Sequence, residues 1–205
     1  MDNGYAKHIA THRKERKERL MRTAAAAFLE TGLKQTTMEQ VATHAGVSKI
    51  VLYRYFGSKD KLIHAILGTM VDRLLKADEV DVDWWTERIP LTLSVARENR
   101  DAMTLLIRQA SHDPKYGSHF MRLHDVLVER SRQRQERNLP GELSEKKTPA
   151  IGATFLAETT VALFLEAYVR WLETGDPNHD DDFISWITRS ARALSYYGAG
   201  GTPPE

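Results

Sequence analysis

The chain has 205 residues, enough for one large domain or two small ones. A hydrophobic content of 41% excludes a disordered chain, and the absence of cysteine excludes disulfides, thiolate metal sites and a cysteine nucleophile. The net charge of +1 conceals a split: residues 1–61 hold twelve basic and six acidic side chains, a net +6, which leaves −5 for the rest. A basic front end on an acidic body points to nucleic acid or an anionic surface as the partner of that end alone. The longest strictly apolar run is the six residues Ala24 to Leu29, far short of the ~20 that span a bilayer. No apolar leader follows the polar N-terminus, so a soluble, cytoplasmic protein is expected.

Helical periodicity dominates throughout. Residues 1–12 are polar without a periodic face and read as a flexible arm. From about Arg13 to Thr31, Leu20, Ala24, Ala27 and Phe28 recur at spacings of three and four, and Gly32 stops the helix. Thr37 caps a second, short helix, with Gln40 completing a capping box. Gly46 ends that helix and Ser48 caps a third, about Lys49 to Phe56. After Gly57, Ser58 caps a fourth, which bridges onward to about residue 78 with Asp60 favoured in its first turn. Five longer helices follow. Asp83 caps one to about Glu98, and the next covers about Arg100 to His112. Another runs from about Lys115 to Arg137 and ends at Asn138-Leu139-Pro140-Gly141. Thr148-Pro149 opens the eighth, to Glu173. The ninth starts in Asp180-Asp181-Asp182 and reaches about Tyr197; residues 199–205 read as a disordered tail.

Two short helices joined by a glycine turn form a helix-turn-helix, whose second helix enters the DNA major groove. At about 100° per residue, Leu52 and Phe56 share the inward face of the third helix. The opposite arc presents Ile50, Val51, Tyr53 and Arg54, with Lys49 reaching from the N-terminal end. A cation, a phenol and small apolar groups suit base edges and thymine methyls.

The stretch Leu20 to Leu62 resembles the tetracycline-repressor (TetR/AcrR) family of bacterial transcriptional regulators. The matching residues are Leu20-Met21, Phe28, Gly32, Thr36-Thr37-Met38, Val41-Ala42, Ala45-Gly46-Val47-Ser48, Leu52-Tyr53-Arg54-Tyr55-Phe56, Ser58-Lys59-Asp60 and Leu62. The resemblance implies an all-α homodimer. An N-terminal three-helix helix-turn-helix domain (13–65) would precede a helical ligand-binding and dimerisation domain (66–198), about nine helices in all. It would bind a palindromic double-stranded DNA operator, usually to repress. By position, Thr37, Tyr55 and Lys59 would contact phosphate, and Lys49, Tyr53 and Arg54 bases or groove, with Ser48, Ile50 and Val51 at the same interface. Where the family commonly has glycine and then a small residue such as threonine, this chain has Ile50-Val51, which either touch thymine methyls or pack on the second helix. Residues 7–22 carry seven basic and two acidic side chains. They read either as phosphate or minor-groove contacts or as a solvated helix face supported by Glu15–Arg19 and Glu18–Arg22 pairs.

The eighth helix is apolar nearly all round, with a small stripe of Ala150, Ala153, Ala157, Thr160 and Ala167; the ninth has Phe183, Ile187, Ala191 and Leu194. The residues alone allow a domain core or a subunit interface; the resemblance implies a four-helix interface. It also implies a pocket for a small-molecule inducer among the middle helices, with Trp85, Met103, Ile107, Phe120, Met121, His124, Phe155, Glu158, Phe164, Tyr168 and Trp171 as candidates. No metal site, cofactor or catalytic constellation is expected, because the histidines supply no compact three-ligand spacing. The competing readings are an all-helical small-molecule enzyme and a regulator that senses a protein partner.

Overall fold

The computed structural model describes residues 3–80, 85–138 and 152–198, of which the side chains of 3–6, 85, 135–138, 152 and 198 are left aside. Nine α-helices occur among the described residues, with no strand. They are α1 (Asn3–Thr31), α2 (Met38–His44), α3 (Lys49–Phe56), α4 (Lys59–Asp78), α5 (Ile89–Glu98), α6 (Arg100–Arg108), α7 (Gly117–Asn138), α8 (Gly152–Thr174) and α9 (Asp180–Gly198). Short 3-10 turns at Trp85–Arg88, Ala110–His112 and Pro177–His179 join some of them.

Local chemistry sets the helix-turn-helix. Thr37 accepts from the Gln40 amide at 3.2 Å while the Gln40 side chain takes the Thr37 amide at 2.7 Å, a closed capping box. Gly46, at φ +61°, and Gly57, at φ +77°, turn the chain after α2 and α3 in a region where a Cβ is disfavoured. Leu52 and Phe56 then point inward onto a core with Phe28 of α1, Val41 of α2 and Leu62 of α4, and Leu52 has no exposed surface. Truncating a leucine packed so completely costs about 3–5 kcal/mol.

The core continues along α4 into the C-terminal helices, where Leu67, Met70, Leu93, Met103, Leu106 and Leu123 are fully buried. An amide clamp ties the two parts together. Gln109, just past α6, accepts from the Leu33 amide at 3.1 Å and donates to the Leu29 carbonyl at 3.2 Å. On the far side, Arg108 binds Glu166 and Glu173 of α8.

Several expectations are corrected. Residues 3–12 are the first turns of α1, not a flexible arm. The Arg100–His112 helix breaks at Gln109, leaving a separate 3-10 turn. Glu18 pairs with Arg73 of α4 at 3.2 Å and Glu15 approaches His12 at 3.5 Å, so the expected partners Arg22 and Arg19 are not the ones they take. The stripe assigned to a subunit interface is largely interior: Ala157, Thr160, Phe183, Ile187 and Ala191 are buried within the single chain, and Ala153, Ala167 and Leu194 are half-buried. Asp83, the Asn138–Gly141 loop beyond Asn138, Thr148-Pro149, Ala150 and the 199–205 tail lie outside the described residues.

Candidate nucleic-acid interface

The outer face of α3 is built on the buried anchors Leu52 and Phe56, with α3 packed against α2 and α4. Lys49, Ile50, Tyr53 and Arg54 are all exposed, Ile50 at 79% and Tyr53 at 44%. An isoleucine with that much surface, on a helix whose other face is sealed, is apolar surface presented outward. Its neighbour Val51 is half-buried against the core, so only the first of the two β-branched residues belongs to the outward face. Lys49 lies 3.6 Å from Glu39 of α2, a solvent-exposed pair worth little and easily exchanged for another anion.

The flanking residues divide by function. Ser48 caps α3 by position but its side chain makes no cap hydrogen bond, which leaves a hydroxyl exposed at the helix start. Thr37 is exposed, with its hydroxyl in the capping box. Tyr55 is half-buried with the Arg54 guanidinium 6.0 Å from its ring centre. Lys59 donates to the Lys34 carbonyl at 2.9 Å, and burial holds its ammonium below the usual lysine value, against the pull of Asp60.

A partly open cavity of about 90 Å³ lies between α4, α5, α6, α7 and α8, at the opposite end of α4. At about 30 Å³ per water in the liquid, that is room for roughly three waters. Met103, Phe164 and Tyr168 line it. The other expected lining residues do not: Met121, Phe155 and Glu158 are exposed, Phe120 and His124 pack on each other, and Ile107 is buried elsewhere. Trp171 stacks on Phe183 and donates to Asp180 at 2.6 Å. The Trp85 side chain lies outside the described residues. Thr160, expected at a subunit interface, borders the cavity instead.

The polar end of the cavity went unforeseen. Asp78, the last residue of α4, is buried and takes a forked pair from Arg134 of α7, at 2.8 and 2.5 Å, and a third bond from Arg130 at 3.2 Å. Tyr168 meets Thr92 at 2.8 Å, and burial raises the Tyr168 hydroxyl well above the usual tyrosine value. Asp78 and Arg134 stand 56 positions apart, so no local spacing announces the pair.

Two short helices joined by the turn at Gly46, the second with a sealed inner face and an exposed outer face, have the form of a helix-turn-helix. Residues 20–66 match the family model described as bacterial regulatory proteins, tetR family. The chain is 41% identical over 63 residues to the HTH-type transcriptional activator FasR of Mycolicibacterium smegmatis, covering 31% of this chain and 29% of that protein. It is 25% identical over 172 residues to the uncharacterized HTH-type transcriptional regulator YhgD of Bacillus subtilis, covering 80% and 86%. A TetR-like transcriptional regulator from a Rhodococcus species superposes with a TM-score of 0.67 at 22% identity, over 91% of this chain and 97% of that one. The likeness to the tetR family rests on residues 20–66, and the chain matches under a third of the length of the first curated relatives; the solved structures add a likeness of fold over most of the chain. No helix among the described residues is long and apolar enough to cross a membrane.

Proposed function

We propose that the protein is a homodimeric, ligand-responsive transcriptional repressor of the cytoplasm. It binds a palindromic operator through α3 and is released by a small molecule held in the cavity. The observation that carries the DNA reading is the outward set Lys49, Ile50, Tyr53 and Arg54 on a helix fixed from behind by Leu52 and Phe56. Lys49 and Arg54 supply donors for guanine edges or phosphates, Tyr53 a phenol, and Ile50 an apolar surface for a thymine methyl.

For the dimer, the outward apolar residues of the last two helices replace the interior stripe. Phe155 on α8 and Trp186 and Tyr197 on α9 are 56%, 47% and 62% exposed. A two-fold contact of this kind suits a palindromic site.

For the ligand response, α4 is the connecting part. Its first residue, Lys59, sits beside α3 and its last, Asp78, borders the cavity about 30 Å away at 1.5 Å per residue. A ligand that shifts Asp78 or Leu74 biases the angle at which α4 carries the helix-turn-helix, and so the spacing of two recognition helices. The relatives carry the names of regulators, which speaks against an all-helical enzyme.

Footprinting on the DNA upstream of the protein's own gene tests this reading. The expected result is a two-fold symmetric footprint with half-sites about 34–36 Å apart or a multiple of that spacing. An absence of protection there and at neighbouring promoters contradicts it.

A further inference from the structure

The wall of the cavity beside α4 is mainly apolar, with Leu74, Ile89, Met103, Leu127, Val161 and Phe164 contributed by five different helices. Its polar groups are spent on one another. Tyr168 donates to the Ile89 carbonyl at 3.2 Å and meets the Thr92 hydroxyl at 2.8 Å. Thr160 donates to the Leu156 carbonyl of its own helix at 2.7 Å. Asp78 and Arg134 are closed on each other as a forked pair, and Arg88 and Ser131 have protein interactions of their own.

That arrangement decides what the space can hold. A water there finds few partners that are not already taken, so the wall is weakly hydrated and apolar contact is what a ligand gains. An ionised ligand fares worse. A carboxylate would have to take Arg134 from Asp78, and an ammonium would have to take Asp78 from Arg134. Either one gives up its own hydration and strands the displaced partner in a buried place. Size sets a second limit, because about 90 Å³ is less than the roughly 150 Å³ of an engineered apolar cavity that takes benzene.

We propose that the cavity selects an uncharged, mainly hydrocarbon ligand whose buried part is a short alkyl chain or a small ring, with any polar end left at the open side. Met103 and Phe164 give it a polarisable, adaptable surface. The Asp78–Arg134 pair then has a second role: closed on itself, it turns ions of either sign away. The inference rests on the reading of this cavity as the ligand site.

Three probes with the same five carbons test it in thermal melts at constant ionic strength: n-pentane, pentanoate and pentylammonium. At about five times its Kd, n-pentane is expected to raise the melting temperature by about 2–4 °C, and neither ion should do so at the same concentration. Val161→Phe, which fills the space from a buried position on α8, should abolish the shift. Xenon pressed into wild-type crystals should occupy the same space, a result independent of how well the variant folds. A melt that pentane leaves unchanged, or an equal shift from either ion, overturns the proposal. So does a shift retained in Val161→Phe, or xenon found only elsewhere. If pentane binds there without weakening affinity for the duplex upstream of the protein's own gene, the ligand class stands and the inducer reading falls.

Discussion

His64 of α4 and His119 of α7 face each other with Nδ1 and Nε2 2.8 Å apart, so one imidazole donates to the lone pair of the other. Tyr116 packs its ring against His64 at 5.3 Å and donates to Asp60, which also pairs with Lys115. Asp72 and Arg122 stand on the other side of His119 as an ion pair at 2.8 Å. Burial holds the His119 imidazole below its usual value, with His64 and Arg122 adding to the effect and Asp72 opposing it.

The consequence is a loss of stability in acid. A folded-state value below the unfolded value means that the unfolded chain takes up a proton which the folded chain resists. Stability is therefore full at high pH, and it falls as pH drops below the unfolded value of about 6.5 toward the folded one. Melting temperatures recorded between about pH 8 and 5 should decline more steeply for the wild type than for His119→Leu. Identical slopes would show that the pair does not resist protonation.

Asp78 holds two arginines in a largely dry place. Replacing it by alanine leaves Arg134 at the cavity wall without its carboxylate, while Arg130 keeps Glu79, and is expected to cost about 3–5 kcal/mol in urea unfolding. Asp78→Leu combined with Arg134→Met removes both charges and should recover most of that loss. A single variant as stable as the wild type would mean that the ion pair is dispensable.

What the sequence made readable and what it hid follow from the range of the forces involved. The capping box at Thr37 and Gln40, the turn at Gly46 and the inward pair Leu52 and Phe56 each involve residues within four positions of one another, so the helix-turn-helix was legible. The start of α1 was not, because residues 3–12 lack an apolar face. A helix already nucleated at Leu20 to Phe28 extends at small cost, and the Thr11 hydroxyl donates back to the Lys7 carbonyl at 2.9 Å. The inward side of the eighth helix was hidden for a third reason. A helix that is apolar nearly all round, as α8 is, does not declare which side meets its own chain, so Thr160 and Ala157 suit a partner or an interior equally well until α4, α5 and α7 are packed around them.

Gly46 offers a clean measure of the turn. A Cβ placed there meets nothing within 4 Å, so Gly46→Ala is penalised only by the left-handed backbone at φ +61°. The expected cost is about 1–2 kcal/mol in urea unfolding. A larger loss would point to a contact that the open surroundings do not contain.

The outward apolar residues of α8 and α9 predict an oligomeric change. In sedimentation velocity the wild type should run as a dimer, and Trp186→Asp with Phe155→Asp as a folded monomer with weakened operator binding. A variant that remains dimeric would move the interface elsewhere.

The most direct test is the ratio of affinities for the duplex upstream of the protein's own gene and a random-sequence duplex of equal length. Tyr53→Ala and Lys49→Ala, both on exposed positions of α3, should each lower that ratio roughly ten- to a hundredfold, in keeping with about 1–3 kcal/mol for a good base contact. Binding to the random duplex should remain, carried by phosphate contacts. If both variants keep the wild-type ratio, α3 is not the helix that reads the operator, and the account fails at its centre.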